Sequence, residues 1–330
     1  MCIRRCEHAR MNTKVLAAVR LGTVVSLLAC GCSGAGGGSG GSGGGAEPQL
    51  LEPLMLSPSN ALEVASTIWL NNGDTEAQDV LGDAARLFSQ LFPVAAYAQD
   101  GVEIEVGCGV SGTAFVMGAV GEPQSPGRTA GDSLEVTYLD CVQVEDSLFL
   151  EVDSGNLTLV IDNADATSQE ATFTIDMTTR IGSAEFSVRG TQQLTILREA
   201  GVERVTASAD RLSVDADGAV FIATNYRMTI VDQGDEPDSP FEIEFATTSS
   251  DPRLGGSVTV ETTAPFKGSS NGYPSEGTLL ISGAADTRIR LTALDASNVH
   301  LELDADGDGV FEPENTVTIT WFELEDGGSL

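Results

Sequence analysis

From Gly101 onward the chain alternates apolar and polar residues with a period of two. Phe173, Ile175 and Met177 alternate with Thr172, Thr174 and Asp176, and Phe241, Ile243 and Phe245 alternate with Glu242 and Glu244. Val299, Leu301 and Leu303 alternate with His300 and Glu302, and Leu134, Val136 and Tyr138 with Glu135 and Thr137. Side chains of a strand point to opposite faces in turn, so this pattern predicts antiparallel strands with one face buried and one wet. Turn signals such as Asp217-Gly218, Asn271-Gly272 and Asp308-Gly309 recur at short intervals. About fourteen strands fit, with no helical crossover long enough to join parallel neighbours. A meander of that length must curl, close or split into two sheets. The expected fold is mainly β: one large antiparallel meander (curled sheet, open barrel or sandwich) over residues 99–330. Its inward set is expected to include Phe115, Phe173, Phe241, Phe245 and Trp321.

Before the strands the period is helical. Ser57-Pro58-Ser59-Asn60 supplies capping chemistry, and Leu62, Ala65, Ile68 and Trp69 follow at helical spacing. Asn71-Asn72-Gly73-Asp74 breaks that helix. Asp74 or Thr75 caps a second, where Val80, Leu81, Ala84, Leu87, Leu91 and Phe92 form one stripe, ended by Pro93. Residues 59–98 thus form a short helical segment ahead of the β domain. Residues 33–45 are almost wholly Gly and Ser, a coil that buries nothing. Residues 46–58, with Pro48, Pro53 and Pro58, continue it, so 30–58 reads as a tether.

Upstream, basic Lys14 and Arg20 precede a short apolar stretch ending in Leu27-Leu28-Ala29-Cys30. That tetrad resembles the lipobox of bacterial lipoproteins. The resemblance implies that residues 1–29 are a signal peptide, with its true start at Met11. It also implies that Cys30 is diacylated and becomes the mature N-terminus, anchoring the chain to the membrane. Leu21 to Ala29 is too short to span a bilayer, since a spanning helix needs about 20 apolar residues. Gly31 stands where an inner-membrane retention signal would place Asp, so the resemblance makes the outer membrane the expected location. The overall layout is similar to that of many uncharacterised proteobacterial envelope lipoproteins, a resemblance that brings no activity with it.

Charge then narrows the partners. Removing residues 1–29 takes away five basic residues and one acidic, leaving 12 basic against 48 acidic and a net charge of −36. Such a surface repels phosphate backbones, which excludes nucleic acid as a partner. Aromatics at 5% are too few for the aromatic girdles of an outer-membrane barrel. Beyond the lipobox pair only Cys108 and Cys141 remain in the mature chain. In an oxidising compartment two cysteines flanking a strand and a turn-rich loop predict a structural disulfide.

The sharpest motif is Asp304-Ala305-Asp306-Gly307-Asp308-Gly309. Carboxylates at positions one, three and five with Gly at six are how a calcium loop begins, because alternate residues converge their oxygens on one hard cation. Over those six residues it resembles the EF-hand loop. It departs afterwards: Asn315 occupies the place of the bidentate Glu, and Glu312 or Glu314 would have to substitute. The candidate Ca²⁺ ligands are Asp304, Asp306, Asp308 and Glu312. Against them stands an acidic β-turn, for which Asp and Gly are favoured in any case.

Catalytic readings are short of parts. His300 is the mature chain's one histidine and falls on the polar face of a strand. No nucleophile elbow in a strand-to-helix setting and no phosphate loop is found, and the chain reads as no enzyme. Two non-enzymatic readings follow, besides a purely structural module. One is a carrier holding a lipid or other hydrophobic ligand in a β cavity. The other is a calcium-stabilised surface interaction or adhesion module that meets an envelope protein.

Overall fold

The computed structural model describes residues 48–72, 103–108, 110–119, 131–145, 148–165, 167–181, 184–216, 218–233, 239–269 and 272–326. The lipobox with Cys30, the Gly/Ser run and the expected second helix lie outside the described residues. Within them, strands follow one another as expected from the period of two: β1 (Glu103–Gly107), β2 (Ser111–Ala119), β3 (Ser133–Glu145), β4 (Leu148–Ala164) and β5 (Ser168–Ile181). Then come β6 (Ala184–Glu199), β7 (Val202–Ala216), β8 (Ala219–Asp232), β9 (Pro240–Asp251) and β10 (Gly256–Ser269). The series ends with β11 (Glu276–Ser282), β12 (Arg288–Ala293), β13 (Asn298–Asp304) and β14 (Thr316–Thr320). Each pairs antiparallel with its neighbours in sequence, giving one meander of fourteen strands in chain order that is not closed into a barrel. The expected helix is present as α1 (Ala61–Asn72), and a single turn, α2 (Trp321–Glu325), follows β14.

The alternation sets which face is inside. Ala114 and Val116, Leu134, Val136 and Tyr138, Leu157 and Leu159, and Val188, Leu194 and Ile196 are all buried, and so are Leu301 and Leu303. These residues join Phe241, Phe245 and Trp321 in a single core running from β2 to α2. Phe173 and Met177 share that face but are only partly buried. Phe115 does not share it: it stands between buried Ala114 and Val116, opposite Glu105 and Thr137, on the outer face. Beside Tyr138 and Cys141 the inner face accepts small residues from β2, and the phenyl ring is left outside.

A single sheet buries one whole face only by bending, and these strands are long. β4 has 17 residues, against about 5–6 in an ordinary strand. Register shifts supply the bend. They interrupt β2–β3 at Ser111/Thr113, β4–β5 at Val152/Ser154, β6–β7 at Gly190/Gln193, β8–β9 at Thr224/Arg227 and β9–β10 at Val258/Phe266. Asp140 and Asn225, at φ 49 and 52, sit within this line of irregularities. In β3 the buried positions step from Tyr138 to Cys141, and in β7 from Ala209 to Leu212, three residues rather than two. Bulges kink a strand and increase its twist locally, so a line of them creases the sheet.

Helix α1 starts where the sequence places it: the Asn60 carbonyl accepts the first helical bond from the Val64 N–H at 2.9 Å. Its apolar side lies over the later strands. Val64, Ile68, Leu279, Ile281, Ile289, Leu291 and Val299 are all fully buried. Trp69 packs its ring 5.0 Å from Phe266 and 4.5 Å from Trp321, and Tyr273 stacks on Trp321 at 5.8 Å. The Trp321 indole donates to the Asp295 carbonyl at 3.2 Å, and α2 is closed by a Thr320/Glu323 capping box. Residues 48–57, which composition groups with the tether, instead form a strap across one end of the sheet. The Ser257 N–H donates to Glu52 O at 2.9 Å, the Leu54 N–H to Ser257 O at 2.8 Å and the Ala284 N–H to Leu54 O at 2.7 Å. Side chains add to this, with the Leu51 N–H donating to Ser250 Oγ and the Leu56 N–H to Thr287 Oγ1.

Candidate functional site

β13 runs its last residue, Asp304, into the core, where the side chain is fully buried. An aspartate in that place needs partners, and the loop turns back to supply them. The Gly307 N–H donates to Asp304 Oδ1 at 2.8 Å and the Gly309 N–H to Oδ2 at 3.0 Å. Both glycines have left-handed φ, 75° and 87°, which lets the backbone wrap a single carboxylate. Asp306 accepts from the Asp308 N–H at 3.2 Å, and Asp308 from the Val310 N–H at 2.7 Å. Each carboxylate thus caps an amide two to five residues ahead, which is why an Asp-rich, Gly-spaced segment folds as a tight turn.

Glu312 closes the loop. Its Oε2 accepts from Asn315 Nδ2 at 3.2 Å and lies 3.4 Å from the Ala305 N–H. A short 3₁₀ turn, Pro313–Asn315, then leads into β14. This arrangement brings oxygens of Asp304, Asp306 and Glu312 to within 4.8 Å of one another. Two oxygens that both bind Ca²⁺ at 2.3–2.6 Å lie no more than about 5 Å apart, so the spacing suits that ion. Asp304 is buried, Glu312 half-buried and Asp306 exposed, a gradient open to solvent on one side. Asp308, the fourth expected ligand, is not part of the triad; its carboxylate faces the Val310 amide. Of the two glutamates that could stand in for the missing bidentate ligand, Glu312 is the one brought in.

The remaining sequence candidates are placed as follows. Cys108 and Cys141 form the expected disulfide, with Cα atoms 5.5 Å apart. It ties the end of β1 to β3 across β2. His300 lies on the wet face of β13, its Nδ1 2.9 Å from Thr318 Oγ1. Beside it, Glu302 holds Arg290 in a bidentate pair at 2.6 and 2.7 Å. The hydrogen bonds from Arg290, with a smaller effect of its charge, lower the Glu302 pKa below the ordinary carboxylate range. Among the described residues, no helix is long and apolar enough to cross a membrane.

Two features were not anticipated. Asp251, almost fully buried, accepts from Arg253 at 2.7 Å and from the Arg253 N–H, bracing the β9–β10 turn from within. The Asp-Pro dipeptide there is the signal that could have flagged it. The second is Gln192, a polar residue on the inner face, which alternation alone places there but whose neighbours give no hint of a partner. Comparison with protein-family models, with curated proteins and with solved structures finds no match.

Proposed function

We propose that this chain is a lipid-anchored, non-catalytic module of the bacterial cell envelope, held at the membrane through Cys30. The observation that supports the reading is the strap. A Gly/Ser coil followed by a segment bonded to β10 and to the β11–β12 turn is how an anchored domain would take up load from its tether. A pull on the N-terminus would meet several backbone hydrogen bonds at Leu51, Glu52, Leu54 and Leu56 before reaching α1. The lipobox-like tetrad supplies the attachment, and Gly31 favours the outer membrane. Metabolic labelling with a clickable palmitate tests this directly. The wild-type chain takes up label and sediments with membranes, and Cys30→Ser does neither; equal labelling or equal sedimentation of the two would overturn the reading.

A second reading concerns the loop, and the convergence of Asp304, Asp306 and Glu312 favours it. These residues would hold a Ca²⁺ ion that stabilises the β13–β14 connection and the surface around it. At a hundredfold excess over its dissociation constant, a ligand adds about 2.7 kcal/mol to the folded state. The double variant Asp306→Asn with Glu312→Gln leaves Asp304 and its backbone bonds in place. Calorimetric titration with millimolar Ca²⁺ is expected to give heat and a raised Tm for the wild type only. No heat with the wild type removes the loop reading and leaves the anchor untouched.

A further inference from the structure

The sheet ends in two unlike edges. At one, β1 carries Glu103 and Glu105, both exposed, and charge on an edge strand discourages further pairing. At the other, β14 reads Thr316-Val317-Thr318-Ile319-Thr320, with no charged residue in a chain that holds 49 acidic side chains. β13 pairs with one side of β14, and among the described residues no strand pairs with the other. Continuing the β13–β14 register, the Trp321 N–H donates to Ser297 O at 3.1 Å. Backbone groups alternate in direction along a strand, so Val317 and Ile319 bond toward β13 while Thr316 and Thr318 turn theirs outward. We propose that β14 is the seam of a twofold dimer, pairing antiparallel with β14 of a second copy of this chain.

The strand is its own complement. About a twofold axis through Thr318, Val317 meets Ile319 of the partner subunit, Thr316 meets Thr320 of the partner subunit, and the two copies of Thr318 meet each other. Apolar groups then join on the core face, where Val317 and Ile319 stand opposite buried Leu301 and Val299. Threonines join on the wet face, and both kinds of pair stabilise facing strands. Val317 fits this arrangement: it lies on the core face yet is 41% exposed, because no strand flanks it. The Thr318 pair would exchange two backbone hydrogen bonds, and each Thr316 N–H would reach the opposite Thr320 carbonyl. The Thr320 N–H is already held by Glu323 Oε2 at 2.7 Å, which leaves four bonds across the seam. A net charge of −36 in the mature chain repels a second copy, so an uncharged strand is where two such chains meet at least cost. A patch that matches itself is what a closed twofold interface requires.

The dimer does not depend on the membrane anchor, so its test uses the full mature chain carrying Cys30→Ser. Sedimentation velocity over a range of concentrations is expected to show a monomer–dimer equilibrium that tightens with NaCl, as screening shortens the repulsion. Amide exchange at Thr316 and Thr318 should slow as the dimer fills, while Val317 and Ile319, already bonded to β13, hardly change. Thr318→Pro removes an N–H that faces away from β13, so the monomer keeps its ladder. It should weaken the dimer roughly tenfold to a hundredfold, the loss of two backbone hydrogen bonds. Thr318→Asp and Thr318→Lys, at an exposed position, each set like charges face to face across the seam. Each should dimerise poorly alone, and the two should pair when mixed. A chain that stays monomeric at every concentration and salt overturns the proposal. So do open-ended polymers, a dimer that Thr318→Pro leaves unchanged, or Asp and Lys variants that associate no better mixed than apart.

Discussion

Breaking the Cys108–Cys141 bond perturbs a place where the fold has little else to hold it. Among the described residues, β1 has five residues, pairs only with β2 and lies at the sheet's edge. Beyond that ladder its end is tied by the Cys108 N–H to Gly112 O at 3.1 Å and the Val110 N–H to Val142 O at 2.9 Å. The two cysteines are 33 residues apart. In the chain-entropy account, closing a loop of that length removes about 12.5 cal/mol/K from the unfolded chain, or about 3.7 kcal/mol at 25 °C. For a domain of this size each kcal/mol shifts Tm by about 2–4 °C, so the loss corresponds to about 7–15 °C. The assay is urea unfolding of the oxidised chain, the chain reduced with a phosphine, and the double variant Cys108→Ala with Cys141→Ala. Both altered forms should lose about 3–4 kcal/mol, and amide exchange should quicken at Ile104 and Val106. A loss below about 1 kcal/mol would refute the reasoning, because the bond would then not be restricting the unfolded chain.

The aromatic cluster gives a second expectation. Gly277 has φ 132°, and a Cβ there would lie 2.5 Å from the Phe266 ring. Gly277→Ala should therefore cost about 1–3 kcal/mol as an overpacking change and weaken the near-UV signal of Trp69 and Trp321; an unchanged Tm would show that Phe266 can move aside. Trp69→Ala should cost about 3–5 kcal/mol, by loss of packing and the void left between α1 and the sheet, measured by urea unfolding. The Arg290–Glu302 pair gives a pH dependence. Folding lowers the Glu302 pKa, so its contribution is fully present above the ordinary glutamate value and fades as pH falls through the lower folded value. Glu302→Gln should flatten that part of the acid limb of a Tm–pH profile, and identical wild-type and variant limbs would count against the pair.

Much of the fold can be read from the chain because one physical rule governs most of it. Where Phe173, Ile175 and Met177 alternate with polar residues, side-chain direction follows from strand geometry, and the meander follows from short turns. Size, rather than hydrophobicity, decides the exceptions. On β2 the inner positions belong to Ala114 and Val116 because Tyr138 already fills that part of the core, so the larger Phe115 is turned outward. The crease was less legible. Asp140 and Asn225 sit inside strands and adopt left-handed φ, something these residue types tolerate but do not announce. The strap escaped as well, because Pro48, Pro53 and Pro58 read as irregular chain, while the partners that fix it are about 200 residues away. For the acidic loop, spacing identified Asp304 and Asp306; the choice of Glu312 over Glu314 depended on the 3₁₀ turn at Pro313.

The strap and the acidic loop meet at one turn, and that would have an electrostatic consequence for a chain anchored as proposed. Leu54 accepts from the Ala284 N–H and Leu56 donates to Thr287. Gly307 lies against the Ala285 carbonyl of the same β11–β12 turn, too close to admit a Cβ. The end of the sheet that holds the strap therefore also carries Asp286, Asp306, Asp308 and Glu312. Brought against an anionic leaflet, that end would be repelled over a screening length of about 8 Å at physiological salt. As a flexible coil, the thirteen Gly/Ser-rich residues 33–45 would span roughly 20 Å, more than two such lengths, so a domain anchored at Cys30 as proposed would stand clear of the surface without strain. A divalent cation held by Asp304, Asp306 and Glu312 would lower the charge at that end and let the domain approach more closely. Under the proposed anchoring, tether length and loop charge would thus act on the same distance, one setting how far the domain could stand off and the other how near it could come.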